Sequence, residues 1–183
     1  MNLWFRVIWL FLTAPFRPRL TPPFGVSRLN FRVWPLDLDT NLHMNNGRYL
    51  TLADLGRVDL LLCSGLWRAV IKNGWLPMLS GSIIRYRREL KPFQKFTVET
   101  RVVFWNSRNM VMEHKFLINN DGTEVLAAVA LVRGGLYDRN QRMFIDCAEI
   151  FRVVGHEGNS PEASAEVAAF MAAEDEIKRY VAG

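Results

Sequence analysis

Between Tyr49 and Leu62 the chain carries Tyr49, Leu50, Leu52, Ala53, Leu55, Val58, Leu60, Leu61 and Leu62. Projected at helical period these cover most of the circumference instead of one stripe, so the helix they form has to be enclosed on nearly every side. The rest of the pattern says by what. Before this segment Leu29, Phe31 and Val33 alternate with Asn30, Arg32 and Trp34, as a strand with one buried face does. After it come extended segments over residues 78–90, 96–105, 110–118 and 125–132, with one more strand or edge near residues 142–145. In the third of these Met112, His114, Phe116 and Ile118 share one face, and Asn119-Asn120-Asp121-Gly122 then reads as a hairpin turn. The run Val125 to Val132 is nearly all apolar, as in a central strand, and Gly134-Gly135 predicts a bulge or bend. The fold class is α+β, with a curved antiparallel sheet wrapped around one long buried helix. Lys72-Asn73-Gly74 marks a helix stop, and Ser160-Pro161-Glu162 opens an extra C-terminal amphipathic helix with Val167, Phe170, Met171, Ile177 and Val181 on its apolar stripe.

The 183 residues are enough for one domain with a sizeable core. Residues 1–20 form a hydrophobic N-terminal segment, 21–155 the domain and 156–183 the C-terminal helix. A formal charge of +5 suits nucleic acid, an anionic membrane or a phosphate-bearing ligand. The arginines are scattered and no nucleic-acid motif is present, which argues against nucleic acid. Cys63 and Cys147 have neither metal-ligand nor redox spacing, so the chain implies free thiols, a cytoplasmic setting and no bound metal or cofactor. A glycine-rich phosphate loop and a serine nucleophile elbow are also missing from the sequence.

The chemistry gathers just before the apolar helix, in Asp37-Leu38-Asp39-Thr40-Asn41-Leu42-His43-Met44-Asn45-Asn46-Gly47-Arg48-Tyr49. Carboxylates, a histidine and asparagines so close together are either a solvated loop or a site, because buried polar groups need partners. Asn45 or Asn46 is a good N-cap, which would aim the first helical amides at the loop and offer donors where an oxyanion forms. The run Asp-x-Asp-x-x-x-His-x-Asn-Asn-x-x-Tyr resembles the signature of the 4-hydroxybenzoyl-CoA thioesterase branch of the hot-dog fold, and within it a thioesterase-like subfamily with a similar Leu-His-Met-Asn-Asn run. The resemblance extends more weakly to about residue 150. It implies an acyl-CoA thioesterase in which Asp39 is the catalytic carboxylate and amides around Asn46 and Gly47 hold the thioester carbonyl. It also implies a homodimer or dimer of dimers with sites at the subunit interface. Many relatives have glycine where this chain has Leu42.

Other candidates are read from the residues themselves. His43 is of a residue type suited to proton transfer and either moves a proton or orients the loop. Asp54 is either a second carboxylate at the site or the ion-pair partner of Arg57 one turn on. Asn45 and Tyr49 of the motif, with Arg85 and Arg87 beside Arg88, are candidate substrate-binding positions, the guanidinium forks suiting phosphate oxygens. Asp37 is expected to order the loop and His114 to be a hydrogen-bonded core residue. Two rival functions stand beside hydrolysis. One is a non-catalytic acyl-CoA or acyl-carrier binding module at a membrane. The other is a hot-dog enoyl-CoA hydratase, whose histidine lies one residue farther from its aspartate.

Residues 3–16 are rich in Trp, Phe, Leu and Ile, interrupted by Arg6 and followed by Pro15, Arg17, Pro18 and Arg19. They are too few to span a bilayer comfortably, which takes about 20 apolar residues. Three readings remain: a peripheral membrane contact through residues 1–16, packing on the domain or on a second subunit, or a short signal anchor.

Overall fold

The computed structural model describes every residue except Met1, Asn2, Pro22, Phe24 and Gly183. The stretch from Leu20 to Ser27, which its Pro-Pro and Gly mark in the sequence as a linker, therefore lies partly outside the described residues. Helix α1 (Leu3–Thr13) runs through a single 3-10 turn to strand β1 (Ser27–Arg32). The motif loop follows, and then α2 (Asn46–Ser64) and α3 (Leu66–Asn73). Strands β2 (Trp75–Tyr86), β3 (Lys95–Trp105), β4 (Met110–Asn120), β5 (Thr123–Asp138) and β6 (Met143–Phe144) come next, and α4 (Cys147–Val153) and α5 (Ala165–Ala182) close the chain. The sheet is antiparallel throughout, in the order β1-β3-β4-β5-β2, with β6 paired to β5.

The apolar helix is enclosed as its sequence requires. Tyr49, Leu52, Ala53, Leu55, Leu60 and Cys63 are buried, and the first four of these share a core with Leu29, Val98, Phe116 and Ala128 of the sheet. Gly56 sets how close α2 comes to β3, because a Cβ there would lie 2.0 Å from Thr100 Oγ1 and 3.0 Å from Thr100 Cβ. Thr100 is itself fully buried. Gly56→Ala should therefore lower the unfolding free energy by about 1–3 kcal/mol through overpacking, read as a shifted urea midpoint with an unchanged slope.

Several boundaries differ from the pattern-based expectation, each for a local reason. The long helix ends at Gly65, which adopts φ +81°, and the stop at Lys72-Asn73-Gly74 terminates a separate α3. In the β2–β5 pair the register shifts between Leu79 and Gly81, so the extra residue is Ser80 on β2 and not a glycine of the Gly134-Gly135 pair; β3–β4 and β4–β5 carry further shifts, between Val102 and Phe104 and between Phe116 and Leu117. Those two glycines serve close approach instead: a Cβ on Gly134 would meet the Met78 carbonyl at 2.6 Å, and one on Gly135 the Arg108 carbonyl at 2.8 Å. Helix α4 was not foreseen, although Asp146 caps it by accepting from Ala148 N–H at 2.8 Å and Cys147, Ile150 and Phe151 form its buried face. Helix α5 begins at Ala165. Ser160 does not cap it; its hydroxyl accepts the Trp105 N–H at 2.9 Å. Val167 and Phe170 of α5 pack on Val111 and Leu131 of the sheet, while Ile177 and Val181 of the expected stripe stay exposed. At the β4–β5 turn Asp121 and Gly122 both take positive φ, as a two-residue hairpin connection demands.

The N-terminal segment is tied into this body at two buried acids. Arg6 donates to Asp37 at 2.6 Å, both side chains nearly inaccessible, and Leu10 enters the main core. Arg17 donates to Asp59, which is fully buried on α2 and also accepts from Ser27 Oγ at 2.5 Å. Leu20 N–H donates to the Cys63 carbonyl at 3.1 Å.

Candidate active site at the start of the buried helix

Asp37 organises the loop, as expected. One of its carboxylate oxygens accepts from Trp34 N–H at 3.0 Å and from Arg6, the other lies 3.4 Å from Arg48 Nε, and its carbonyl accepts Asn45 N–H at 2.8 Å. A turn then closes on Asp39. The Asp39 N–H donates to the His43 carbonyl at 2.9 Å, its carbonyl accepts Leu42 N–H at 3.2 Å, and Leu38 and Met44 bridge around it. Turn closure puts Leu42 at φ +60° with its side chain exposed. The position where many relatives carry glycine is thus one whose backbone conformation favours glycine. Leu42→Gly is expected to raise stability by up to about 1 kcal/mol, the relief of the left-handed leucine being partly offset by the flexibility of glycine in the unfolded chain; thermal unfolding would show it.

The Asp39 carboxylate is held from two sides. Asn41 N–H donates to one oxygen at 2.8 Å, and the other lies 3.2 Å from His43 Nδ1. Both side chains remain partly accessible, 20% for Asp39 and 32% for His43. The following Asn45 is the N-cap, its side chain accepting Gly47 N–H at 2.9 Å while its carbonyl accepts Arg48 N–H. Of the two amides expected to face a substrate carbonyl, Gly47 N–H is therefore engaged by the cap. No acceptor among the described residues takes Asn46 N–H, which stands at the positive end of the α2 dipole.

Tyr49 sits beneath this end and is 2% exposed, edge-on to Tyr86 at 5.0 Å and to Phe116 at 4.9 Å between ring centroids. Burial pushes its phenol up to about 12, and its hydroxyl reaches the Leu90 backbone. It supports the site from the core side. Tyr86 OH donates to the Asn46 carbonyl at 3.1 Å, which brings the end of β2 against the helix start. Arg85, Arg87 and Arg88 are exposed there and pair with no carboxylate among the described residues.

Asp54 lies two turns farther along α2 and is ion-paired with Arg57, the simpler of its two readings. Arg57 also meets His114 Nε2 at 3.1 Å, and His114 Nδ1 meets Thr100 Oγ1 at 2.9 Å. His114 is fully buried, so desolvation and the neighbouring guanidinium hold its pKa down at about 3. An unfolded-chain histidine accepts its proton near pH 6.5, so the neutral buried ring stabilises the fold fully above that pH and progressively less as the pH falls toward 3. Between pH 7 and pH 5 this should remove about 2 kcal/mol from the wild type and not from His114→Gln, as measured by urea unfolding at each pH. Neither cysteine is an activated nucleophile: burial is the main cause raising Cys63 to about 11 and Cys147 to about 12. Among the described residues no group of His, Cys, Asp and Glu is placed to hold a metal ion.

Two features had escaped the sequence reading. The first is the pair of buried clasps, Arg6–Asp37 and Arg17–Asp59, although a lone arginine in one apolar helix and the acid Asp59 between the leucines of another were visible signals. The second is an apolar cavity of about 340 Å³ between α2 and the β2–β5 part of the sheet, lined by Val58, Leu61, Met78, Met110, Met112 and Leu136, with Asp54 and Arg57 also on its wall. It gives the half-buried residues of α2 a second apolar surface to face.

One long helix enclosed by an antiparallel sheet, with a carboxylate-bearing loop entering the helix N-terminus, defines a hot-dog fold of the thioesterase type. Residues 33–173 match the Thioesterase-like superfamily, and the chain belongs to that family. It is 37% identical over 101 residues to Protein THEM6 of Xenopus laevis, a match covering 55% of this chain and 48% of that one. The chain spans between 39% and 65% of the length of curated relatives that it matches. Among solved structures, a probable thioesterase from Escherichia coli superposes with a TM-score of 0.64 at 20% identity, covering 70% of this chain and 95% of its own. A 4-hydroxybenzoyl-CoA thioesterase variant in complex with 4-hydroxybenzoyl-CoA gives the same TM-score at 13% identity, covering 72% and 99%. At those identities the structures speak for the fold.

Proposed function

We propose that this protein hydrolyses acyl-CoA thioesters to a free acid and coenzyme A. The observation that carries the reading is the Asp39 carboxylate, fixed by Asn41 N–H and His43 yet still accessible, next to a helix N-terminus whose Asn46 N–H is unengaged. Asp39 either attacks the thioester carbonyl or takes a proton from the attacking water; in both cases the carbonyl oxygen gains charge that Asn46 N–H and the helix dipole stabilise. When Asp39 acts as base, the C–S bond breaks and the proton taken from water passes to the departing thiolate; when it attacks, C–S cleavage leaves a mixed anhydride on Asp39, which a water hydrolyses to the free acid while its proton goes to the thiolate. His43, against Asp39, keeps the carboxylate in one orientation. The family supports this chemistry in general terms, and 4-hydroxybenzoyl-CoA is bound by one of the structural neighbours.

The finer parts of the reading rest on placement. Arg85 and Arg87, exposed beside the helix start, suit the phosphates of coenzyme A. The 340 Å³ cavity is apolar and its methionines are adaptable, which suits an aliphatic acyl chain. Its near wall at Asp54 is eight residues from Asn46, about 12 Å along the helix, so a chain of some length is needed to fill it. Among the described residues strand β2 pairs with β5 alone and leaves its other edge open over twelve residues, with Met78, Leu79 and Ile83 exposed. A long open edge of this kind is unsafe in a monomer, and antiparallel pairing of two β2 edges would build a homodimer with the cavity beside its interface.

The test is a series of short, long and aromatic acyl-CoA substrates. Highest kcat/KM on the long aliphatic substrates is expected. Tight binding without turnover of any would favour the acyl-CoA binding module instead.

A further inference from the structure

The first 36 residues contain five arginines and no acidic residue, and most of the apolar surface they carry is left uncovered. Among the residues of α1 whose burial is described, Arg6 and Leu10 are the buried ones. Trp4, Phe5, Ile8, Phe11, Leu12 and, just beyond the helix, Phe16 are between 52% and 90% exposed. The segment cannot roll over to hide them, because Arg6 is bonded to Asp37 and Arg17 to Asp59, both acids buried in the domain. An apolar face of this size, locked outward, is a contact surface.

Its border identifies the partner. On one side a cleft of about 420 Å³ runs from Phe11 past Trp67 to Arg19 and Arg68. On the other a cleft of about 550 Å³ runs from Trp9 past Trp34 to Arg32 and Lys95, its single acid, Glu124, being paired with Arg28. Aliphatic and phenyl groups at the centre, tryptophans at the margin and cations outside them is the composition of a helix lying in a lipid interface. With eleven residues α1 is about 16 Å long, too short to cross a bilayer, and none of the described helices is long and apolar enough to do so. A second copy fits less well, since an isologous contact through α1 would lay one basic border against another with no acid on the segment to answer it.

We infer that α1 seats the protein on an anionic phospholipid surface, lying in the plane of the interface with Trp4, Phe5, Ile8 and Leu12 in the acyl boundary and Arg19, Arg32, Arg68 and Lys95 among the headgroups. This assignment is independent of the reaction at Asp39. It does bear on it: the Arg6–Asp37 clasp places the anchored helix two residues from Asp39, so a substrate held in the same membrane would be delivered beside the loop.

The full chain should co-sediment with phosphatidylcholine vesicles containing phosphatidylserine, bind vesicles of phosphatidylcholine alone more weakly, and lose binding as salt is raised. The variant Trp4→Ser/Phe5→Ser/Leu12→Ser changes only exposed side chains, so its melting temperature should stay near wild type while its affinity for the anionic vesicles falls by at least about tenfold. Arg19→Glu/Arg68→Glu should abolish the preference for anionic over neutral vesicles. Undiminished binding of the triple variant would overturn the proposal, as would a wild type that ignores both vesicles. If in that second case light scattering showed the triple variant halving the solution mass, α1 would be a subunit contact.

Discussion

Asp39→Asn is expected to lower kcat for acyl-CoA hydrolysis by about 10² to 10⁴ while leaving acyl-CoA binding and the fold intact. The amide is isosteric with the carboxylate and can still accept Asn41 N–H, so the turn from Asp39 to His43 has no reason to open. What disappears is the negative charge, and with it both the nucleophile and the base. The effect should therefore appear in kcat more than in KM, the mark of an interaction made in the transition state. His43→Gln should cost less, because His43 contacts Asp39 through one nitrogen and acts on its orientation. Undiminished activity in Asp39→Asn would move the carboxylate role elsewhere, and Asp54 is poorly placed to inherit it, being committed to Arg57. A parallel measurement of Asp54→Asn settles that alternative directly.

The local structure of the Asp37–Tyr49 loop is legible in the sequence for a physical reason. Asn45 and Leu42 signal through short-range chemistry: Asn45 caps because its side chain reaches the next amides, and Leu42 closes the turn at the cost of a left-handed backbone. Such bonds join residues a few positions apart, so spacing reveals them. The enclosed helix was legible for a related reason, since an apolar surface on all sides leaves only one kind of neighbour. What stayed hidden depends on pairs far apart in the chain. Arg6 with Asp37, and Arg17 with Asp59 and Ser27, are brought together by the fold across intervals that no local pattern encodes. The bulge on β2 was misplaced because a glycine marks either a bulge or a close approach, and only the neighbouring carbonyls at Met78 and Arg108 distinguish the two. Ser160 deceived for the same reason, its hydroxyl having found the end of β3 before the start of a helix.

The second large effect should come from the clasp at Asp59, and it concerns stability. Asp59 is completely buried on the inner helix, where an uncompensated charge costs several kcal/mol, and it is tolerated because Arg17 and Ser27 Oγ both bond to it. Removing either ionic partner alone leaves the other without compensation. Arg17→Met and Asp59→Ala should thus each destabilise by about 3–5 kcal/mol in urea unfolding. Exposed pairs are the contrast: breaking Arg101–Glu113, whose arginine is nearly half exposed, should cost less than about 1 kcal/mol. The decisive variant is the triple Arg17→Met/Asp59→Leu/Ser27→Ala, the serine changed so that no hydroxyl is stranded, measured beside its three component single variants. If the clasp acts by mutual compensation of buried charge, this apolar replacement recovers most of the loss, and the cycle shows a coupling well above the scatter of additive mutations. Losses that simply add would mean that Arg17 and Asp59 stabilise separately, and that the N-terminal segment is held mainly by Leu10 and the Arg6–Asp37 pair.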